Sequence, residues 1–177
     1  MTYLMEDYEE GRDYLLYFIE QGDSRPFNRG AMKNIGFAAV RDLYPDAYRE
    51  MTFIFNDVDV VPYKKGVVRL DVARPGVIGH HYGFRFALGG IVSITGADFE
   101  RLNGFANYWS WGFEDNLLQN RAQRASIRID RSNFFELNDM RIIHGNDGNN
   151  KTLNRNYMYE LVLDKGDNGL RTVTNLE

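Results

Sequence analysis

Cysteine is absent from the 177 residues, so neither a disulfide framework nor a Cys-ligated zinc is open to this chain. No stretch approaches the roughly 18 consecutive apolar residues of a membrane span. The first ten residues, Met1 to Glu10, are acidic and hold no apolar run of signal-peptide length. Positive charge is not in excess: 21 Lys and Arg face 25 Asp and Glu, for a formal net charge of −4. A dedicated nucleic-acid binder needs a basic face, so that partner class is disfavoured, although one local cluster is enough to hold a nucleotide. Internal repeats and low-complexity tracts are missing too.

What is present is the balance of a soluble globular chain, 44% hydrophobic and 26% charged. The length suits a single domain spanning residues 1–177, able to bury about two thirds of its unfolded surface. Aromatic residues stand out at 14%, with 12 Phe and 11 Tyr. Such an excess either packs a dense core or offers stacking faces to sugars and bases, and the core is the simpler reading.

Periodicity divides the chain into alternating elements. Tyr14 to Ile19 (YLLYFI) is a short apolar run that predicts a buried strand. Asn28 to Leu43 predicts a helix, with Met32, Ile35, Ala39, Val40 and Leu43 as its apolar stripe and Pro45 beyond its end. Strands are expected at Thr52 to Phe55, Val67 to Val72, Val77 to His81 and Ile91 to Thr95. Thr95 and Asp98 form a helix-start signal before Ala97 to Leu102, and a further helix is expected over Glu114 to Ala125. Ser126 to Ile129 and Met140 to His144 read as strands, and Asn146 to Asn156 as a Gly/Asn-rich mobile loop. The order predicts an α/β fold with a mixed sheet.

Four places carry residues suited to chemistry. Asp57-Val58-Asp59 follows an apolar strand, where open α/β sheets bind ligands, and paired carboxylates there suit a metal–diphosphate clamp or an ordinary turn. Trp109-Ser110-Trp111-Gly112-Phe113 runs into Glu114-Asp115 at a helix start. Indole faces stack on sugar rings while carboxylates take sugar protons; a core Trp pair before ordinary helix-start acids is the competing reading. His144 ends an apolar run and suits either a structural hydrogen bond or a metal. Phe27-Asn28-Arg29 joins a ring to a guanidinium, fit for a base and a phosphate, or for a helix N-cap beside a solvated Arg. His80 and His81, adjacent on a strand, point to opposite faces and cannot easily share a metal.

In order and spacing, these pieces resemble the catalytic domain of the β-1,4-galactosyltransferases, over about Asp13 to Thr174. Phe27-Asn28-Arg29, Ile35-Gly36-Phe37 and Phe55-Asn56-Asp57-Val58-Asp59-Val60-Val61-Pro62 match its first half. Leu88-Gly89-Gly90-Ile91-Val92, Leu102-Asn103-Gly104-Phe105, Tyr108-Trp109-Ser110-Trp111-Gly112 and Glu114-Asp115 match its second, and Met140 to His144 falls where the family places a metal-binding His. The resemblance implies a GT-A fold, and an inverting transfer of Gal or GalNAc from a UDP-sugar to a carbohydrate hydroxyl. It implies Mn2+, with Mg2+ as a substitute, held by Asp59 and His144. Asp57 and Val58 would lie along the nucleotide, Phe27 and Arg29 on the UDP, and Gly90 and Trp111 over the donor. Glu114 would hold a sugar, Asp115 would be the general base, and Ala87 would shape the pocket at the donor's second carbon, favouring UDP-GalNAc. The Trp109 to Trp111 loop and Asn146 to Asn156 would close over the donor.

The sequence departs from the family in several places. The family's usual first strand, with its Pro-aromatic-Arg motif, has no counterpart here. Arg141 stands where a third metal ligand, Met, is frequent, with Met140 one position earlier, and Asn116 replaces a third acid. Without cysteines, anchor or stem, the sequence predicts a cytoplasmic enzyme of bacterial or viral type. Two rivals remain at this stage, a non-catalytic sugar- or nucleotide-binding module of the same fold and a metal-dependent nucleotide-sugar hydrolase.

Overall fold

A computed structural model describes residues 14–70, 73–145 and 153–173. Its elements are α1 (Arg29–Leu43), β1 (Thr52–Asn56), β2 (Val60–Pro62), β3 (Val77–Gly83), β4 (Ile91–Thr95), α2 (Gly96–Arg101), α3 (Glu114–Arg124), β5 (Arg128–Asp130), β6 (Phe135–Glu136), β7 (Ile142–His144) and α4 (Tyr157–Leu163), before a 3-10 turn at Leu170–Thr172. The main sheet runs β1-β4-β3-β5, with β6 also beside β3. β1 and β3 lie antiparallel to β4, while β5 and β6 lie parallel to β3, so the sheet is mixed as expected. β2 and β7 form a separate antiparallel ribbon.

All five residues of β4 are buried, because both faces of the sheet are covered. Val92 and Ile94 face a core built with Phe37, Phe99, Phe105 and Leu118. Ile91 points the other way and packs with Val60, Tyr82, Phe135 and Ile142. Aromatic rings pack closely in the first of these cores: Phe37 lies 4.6 Å from Phe53 and 4.8 Å from Phe99, ring centre to ring centre. α2 starts on the expected cap, since the Asp98 amide donates to Thr95 Oγ1 at 3.2 Å.

Several expectations are corrected. Tyr14 to Ile19 carries no strand or helix assignment, and Tyr14, Leu15, Leu16, Tyr17 and Phe18 are exposed. An apolar run becomes a strand only where another strand supplies its hydrogen bonds. Residues 67–70 form no strand, with a bend at 67 and 68; the Asn133 side chain takes the Arg69 amide and donates to the Val67 carbonyl where a ladder partner would stand. Residues 71 and 72 lie outside the described residues, as do 146–152 of the expected mobile loop. The buried face of α1 is Gly30, Asn34, Phe37 and Ala38, rotated from the predicted stripe, and Leu43 is exposed. The rotation is set by Asn34, which donates to the Phe105 carbonyl at 2.8 Å and accepts the Phe105 amide at 3.0 Å. β2, β6 and α4 are additional elements. No helix among the described residues is long and apolar enough to cross a membrane.

A buried ion pair fastens the C-terminal segment to α3. Arg121 donates to both Asp164 oxygens, at 3.0 and 2.8 Å, and to the carbonyls of Gly104 and Asn168. Each side chain is only 6% exposed. Burial by itself pushes the Asp164 carboxyl up, but the Arg121 bonds outweigh it and hold the group below the usual carboxylate range. The pair therefore stabilises the fold above the unfolded-state value, and that stability is lost as pH falls through the folded one. Arg121→Met should cost about 3–5 kcal/mol, because it strands a buried carboxylate. Urea unfolding near neutral pH measures this, and the deficit relative to wild type should shrink in acid.

Candidate functional site

The site is built where β1 ends, where α1 and α3 begin, and in the loop between β3 and β4. Asn28 caps α1 by accepting the Ala31 amide at 2.9 Å, which realises the N-cap reading. Arg29, however, is not a solvated neighbour of that cap. Its Nε donates to Glu114 Oε1 at 2.7 Å, its Nη1 to Asp57 Oδ2 at 2.7 Å, and its Nη2 to Asp115 Oδ2. One turn along α1, Lys33 Nζ lies 3.0 Å from Asp57 Oδ1 and 3.9 Å from Asp115 Oδ1. Three carboxylates from two elements thus share two cations from a third.

Burial gives these contacts their weight, since none of the five side chains is more than 22% exposed. Burial would lower the Arg29 guanidinium, but the charges of Asp57 and Glu114 outweigh it and hold it above its ordinary value. Burial pulls the Lys33 ammonium below its ordinary value, with Asp57 opposing. Burial would raise Asp57, but Lys33 and Arg29 together hold it below the usual carboxylate range. Glu114 Oε2 and Asp115 Oδ1 are buried without a hydrogen-bond partner among the described residues. Orphaned acceptors of this kind are costly unless a ligand supplies the donor.

Two glycines let the acids approach the sheet. A Cβ on Gly89 would sit 2.1 Å from Asp115 Oδ2, and Gly90 holds a left-handed φ of 73° with the Tyr82 carbonyl 2.3 Å from where a Cβ would be. The Gly90 carbonyl accepts the Asp57 amide at 3.0 Å, and the Asp115 carbonyl accepts the Leu88 amide at 3.0 Å. Beneath this loop, burial and the Arg131 guanidinium push His80 down to about 3, so the ring is neutral. Its Nδ1 accepts from Arg131 Nε at 3.0 Å, which assigns the proton to Nε2, facing the Gly89 and Tyr82 carbonyls. His81 turns away to Ser93, as the alternation of a strand requires. Ala87 is buried in the turn before Gly89.

Beyond a short turn from Asp57, a second pair forms. The β2–β7 ribbon sets Val60 opposite His144, and His144 Nε2 lies 3.0 Å from Asp59 Oδ2. The Tyr82 hydroxyl lies 3.1 Å from His144 Nδ1, fixing the ring from behind as outer partners of metal-binding imidazoles do. A carboxylate oxygen and an oriented imidazole are donor types that would suit Mn2+. Arg141 contributes no third ligand: it is held by Asp139 at 2.7 Å over the Phe135 ring, and Met140 is 91% exposed. No group of three or more His, Cys, Asp or Glu able to hold a metal occurs among the described residues.

The Trp segment is not core. Arg25 covers the Trp109 ring at 4.0 Å, and Trp111 is 38% exposed. Ser110 and Phe113 both have positive φ, 107° and 76°, a strained path of the kind found at functional loops. Tyr157 of α4 steadies it, taking the Trp109 amide at 3.1 Å and donating to its carbonyl at 3.0 Å. Phe27 and Val58 are exposed at the rim. Lys33, Tyr82 and Tyr157 are site-building residues that the sequence reading did not single out. For Lys33 a signal existed, a charge one residue from the predicted apolar stripe, but helical charges ordinarily face water.

The mixed sheet, with paired acids just beyond the end of β1, is that of a GT-A glycosyltransferase catalytic domain. The fold matches that of a Drosophila β-1,4-galactosyltransferase 7 mutant solved with manganese, UDP-Gal and xylobiose, at a TM-score of 0.68 and 22% identity, covering 89% of this chain and 70% of that one. The model of the N-terminal domain of galactosyltransferase matches residues 76–145. β-1,4-Galactosyltransferase 4 of Cricetulus griseus is 33% identical over 153 residues, 75% of this chain and 41% of the relative. β-1,4-Galactosyltransferase 2 of Homo sapiens is 37% identical over 130 residues, 67% of this chain and 33% of the relative. This chain belongs to the β-1,4-galactosyltransferase family, and it spans 33–41% of the length of these curated relatives. Those relatives are animal proteins, which overturns the expectation of a cytoplasmic enzyme of bacterial or viral type.

The fit between Gly89 and Asp115 is open to a direct check. Gly89→Ala should destabilise the fold by about 1–3 kcal/mol through overpacking and speed exchange of the Leu88 amide. Gly22→Ala, which meets nothing within 4 Å, is the control and should do neither. Hydrogen exchange read by NMR distinguishes the two.

Proposed function

We propose that this chain is a single catalytic domain that transfers galactose or N-acetylgalactosamine from a UDP-sugar to a carbohydrate hydroxyl with inversion. The observation that carries the reading is the Arg29-centred cluster of Asp57, Glu114 and Asp115, one short turn from the Asp59–His144 pair. Mn2+, held by Asp59 and His144, would offset the charge that grows on the departing diphosphate. The neighbour solved with manganese and UDP-Gal supports that choice of ion.

Glu114 Oε2 and Asp115 Oδ1 are the atoms free to receive sugar hydroxyls, since Arg29 occupies the other oxygen of each. Asp115 takes the proton of the acceptor hydroxyl as that oxygen attacks the anomeric carbon. The bond from that carbon to the diphosphate breaks with its electrons staying on UDP, and attack from the opposite face inverts the centre. Arg29 holds the acids in place, and Trp111 with the exposed Phe27 supplies stacking faces at the rim. Acceptors are carbohydrates, in keeping with the xylobiose bound by the neighbour.

Asp115→Asn keeps the shape and removes the proton acceptor, so turnover should fall about 10²–10⁴-fold. UDP release with Mn2+, measured against a panel of acceptor sugars, is the test. Release that no acceptor accelerates would favour a hydrolase, and tight UDP binding without release would favour a binding module. Asp59→Ala should abolish Mn2+-dependent UDP binding by calorimetry, and His144→Ala should weaken it. Unchanged affinity in both would remove the metal site. Ala87 leaves room beside the donor's second carbon, so UDP-GalNAc should be accepted, and Ala87→Tyr should shift the preference toward UDP-Gal by about 10–200-fold in a two-donor competition.

A further inference from the structure

Asp115 is surrounded by charge from three elements. Arg29 and Lys33 face it from α1, Asp57 from the end of β1, and Glu114 from its own helix, with Asp59 a turn beyond. The two cations treat its oxygens differently. Arg29 hydrogen-bonds Oδ2 and so blocks it. Lys33 stands 3.9 Å from Oδ1, beyond hydrogen-bond reach but well within Coulomb range. The ammonium stays there because other groups hold it: Asp57 Oδ1 at 3.0 Å, and the Phe105 ring with its centre 4.8 Å away.

We propose that Lys33 is a positioning residue for the acid pair, keeping Asp115 Oδ1 ionised while leaving it free to accept the acceptor's proton. The proposal rests on the role given to Asp115 above and adds the group that makes this role workable. Three neighbouring carboxylates with Arg29 as their sole counter-charge repel one another, and like charges this close disfavour the ionised form. A second cation offsets that repulsion. Had it bonded directly to Oδ1, it would have sealed the last free oxygen. Its tether to Asp57 also couples the acceptor-side acid to the nucleotide-side one.

Lys33→Met keeps the length and removes the charge, and Lys33→Arg keeps the charge. Carboxyl 13C NMR follows the protonation of Asp115 directly, with the signal assigned by its loss in Asp115→Asn. The midpoint in Lys33→Met should move up by about 1–3 pH units and stay near the wild-type value in Lys33→Arg. The acid limb of kcat/KM should move the same way, with turnover in Lys33→Met recovering as pH rises, which lost packing alone would not produce. A folded Lys33→Met with an unmoved Asp115 midpoint overturns the proposal. If Lys33→Met does not fold, Lys33→Gln, neutral yet able to donate to Asp57, carries the same measurement. The NMR reading needs no turnover, so a wild-type chain without transferase activity would count against the proposed function and leave this result standing on its own.

Discussion

The structure around the site depends on one electrostatic constraint: three buried carboxylates must be neutralised where they meet. Removing an acid from water without a partner is expensive, and Asp57, Glu114 and Asp115 crowd together. Arg29 reaches all three, and Lys33 reaches two. To bring both cations in, the face of α1 that carries them must turn toward the end of β1, and α3 must begin beside it. The packing answers that demand. Gly30 lets α1 approach the Ala106 carbonyl, where a Cβ would lie 2.0 Å away, and Gly89 leaves space for the Asp115 carboxylate. A cluster this well paired restrains the side chains before a substrate arrives, which is the preorganisation that transfer chemistry requires.

The second centre is fastened by different means. Asp59 and His144 meet because a three-residue ribbon pairs β2 with β7, and Tyr82, from the main sheet, orients the imidazole. The turn from Asp57 to Asp59 joins the two centres, and Asn56 knits it by donating to the carbonyls of Asp57 and Val60. Under the proposed function, Asp59 and His144 would hold the donor's diphosphate beside that turn. The strained Trp segment leads directly into the acids that open α3.

How much of this was legible in the sequence follows from what each feature needs. Motifs local in the chain could be read: the Asn28 cap, the Thr95 cap, the acids opening α3, and Asp57 with Asp59 at the end of β1. The mixed sheet was legible because its inner strands are long enough to alternate or to be wholly apolar. The ribbon strand β2 was not, since three residues carry no period. Tyr14 to Ile19 has the composition of a strand, but hydrogen bonding requires a neighbour that no local pattern reveals. The burial of Lys33 was hidden for the same reason, because its partners lie 24 and 82 residues away, in Asp57 and Asp115. The resemblance named Asp57, Glu114 and Asp115 together, and the structure brings all three within reach of Arg29; the bacterial or viral cytoplasmic setting, read from the lack of cysteines, anchor and stem, did not hold.

The central claim is that these clustered groups transfer a sugar with inversion. Proton NMR of the anomeric signals tests it most directly, using UDP-galactose, Mn2+ and a carbohydrate acceptor with the intact chain. The account predicts that the α-linked donor signal is replaced by a β-linked signal on the acceptor, in step with UDP formation. Appearance of an α-linked product, or of free galactose alone at every acceptor concentration, would contradict it.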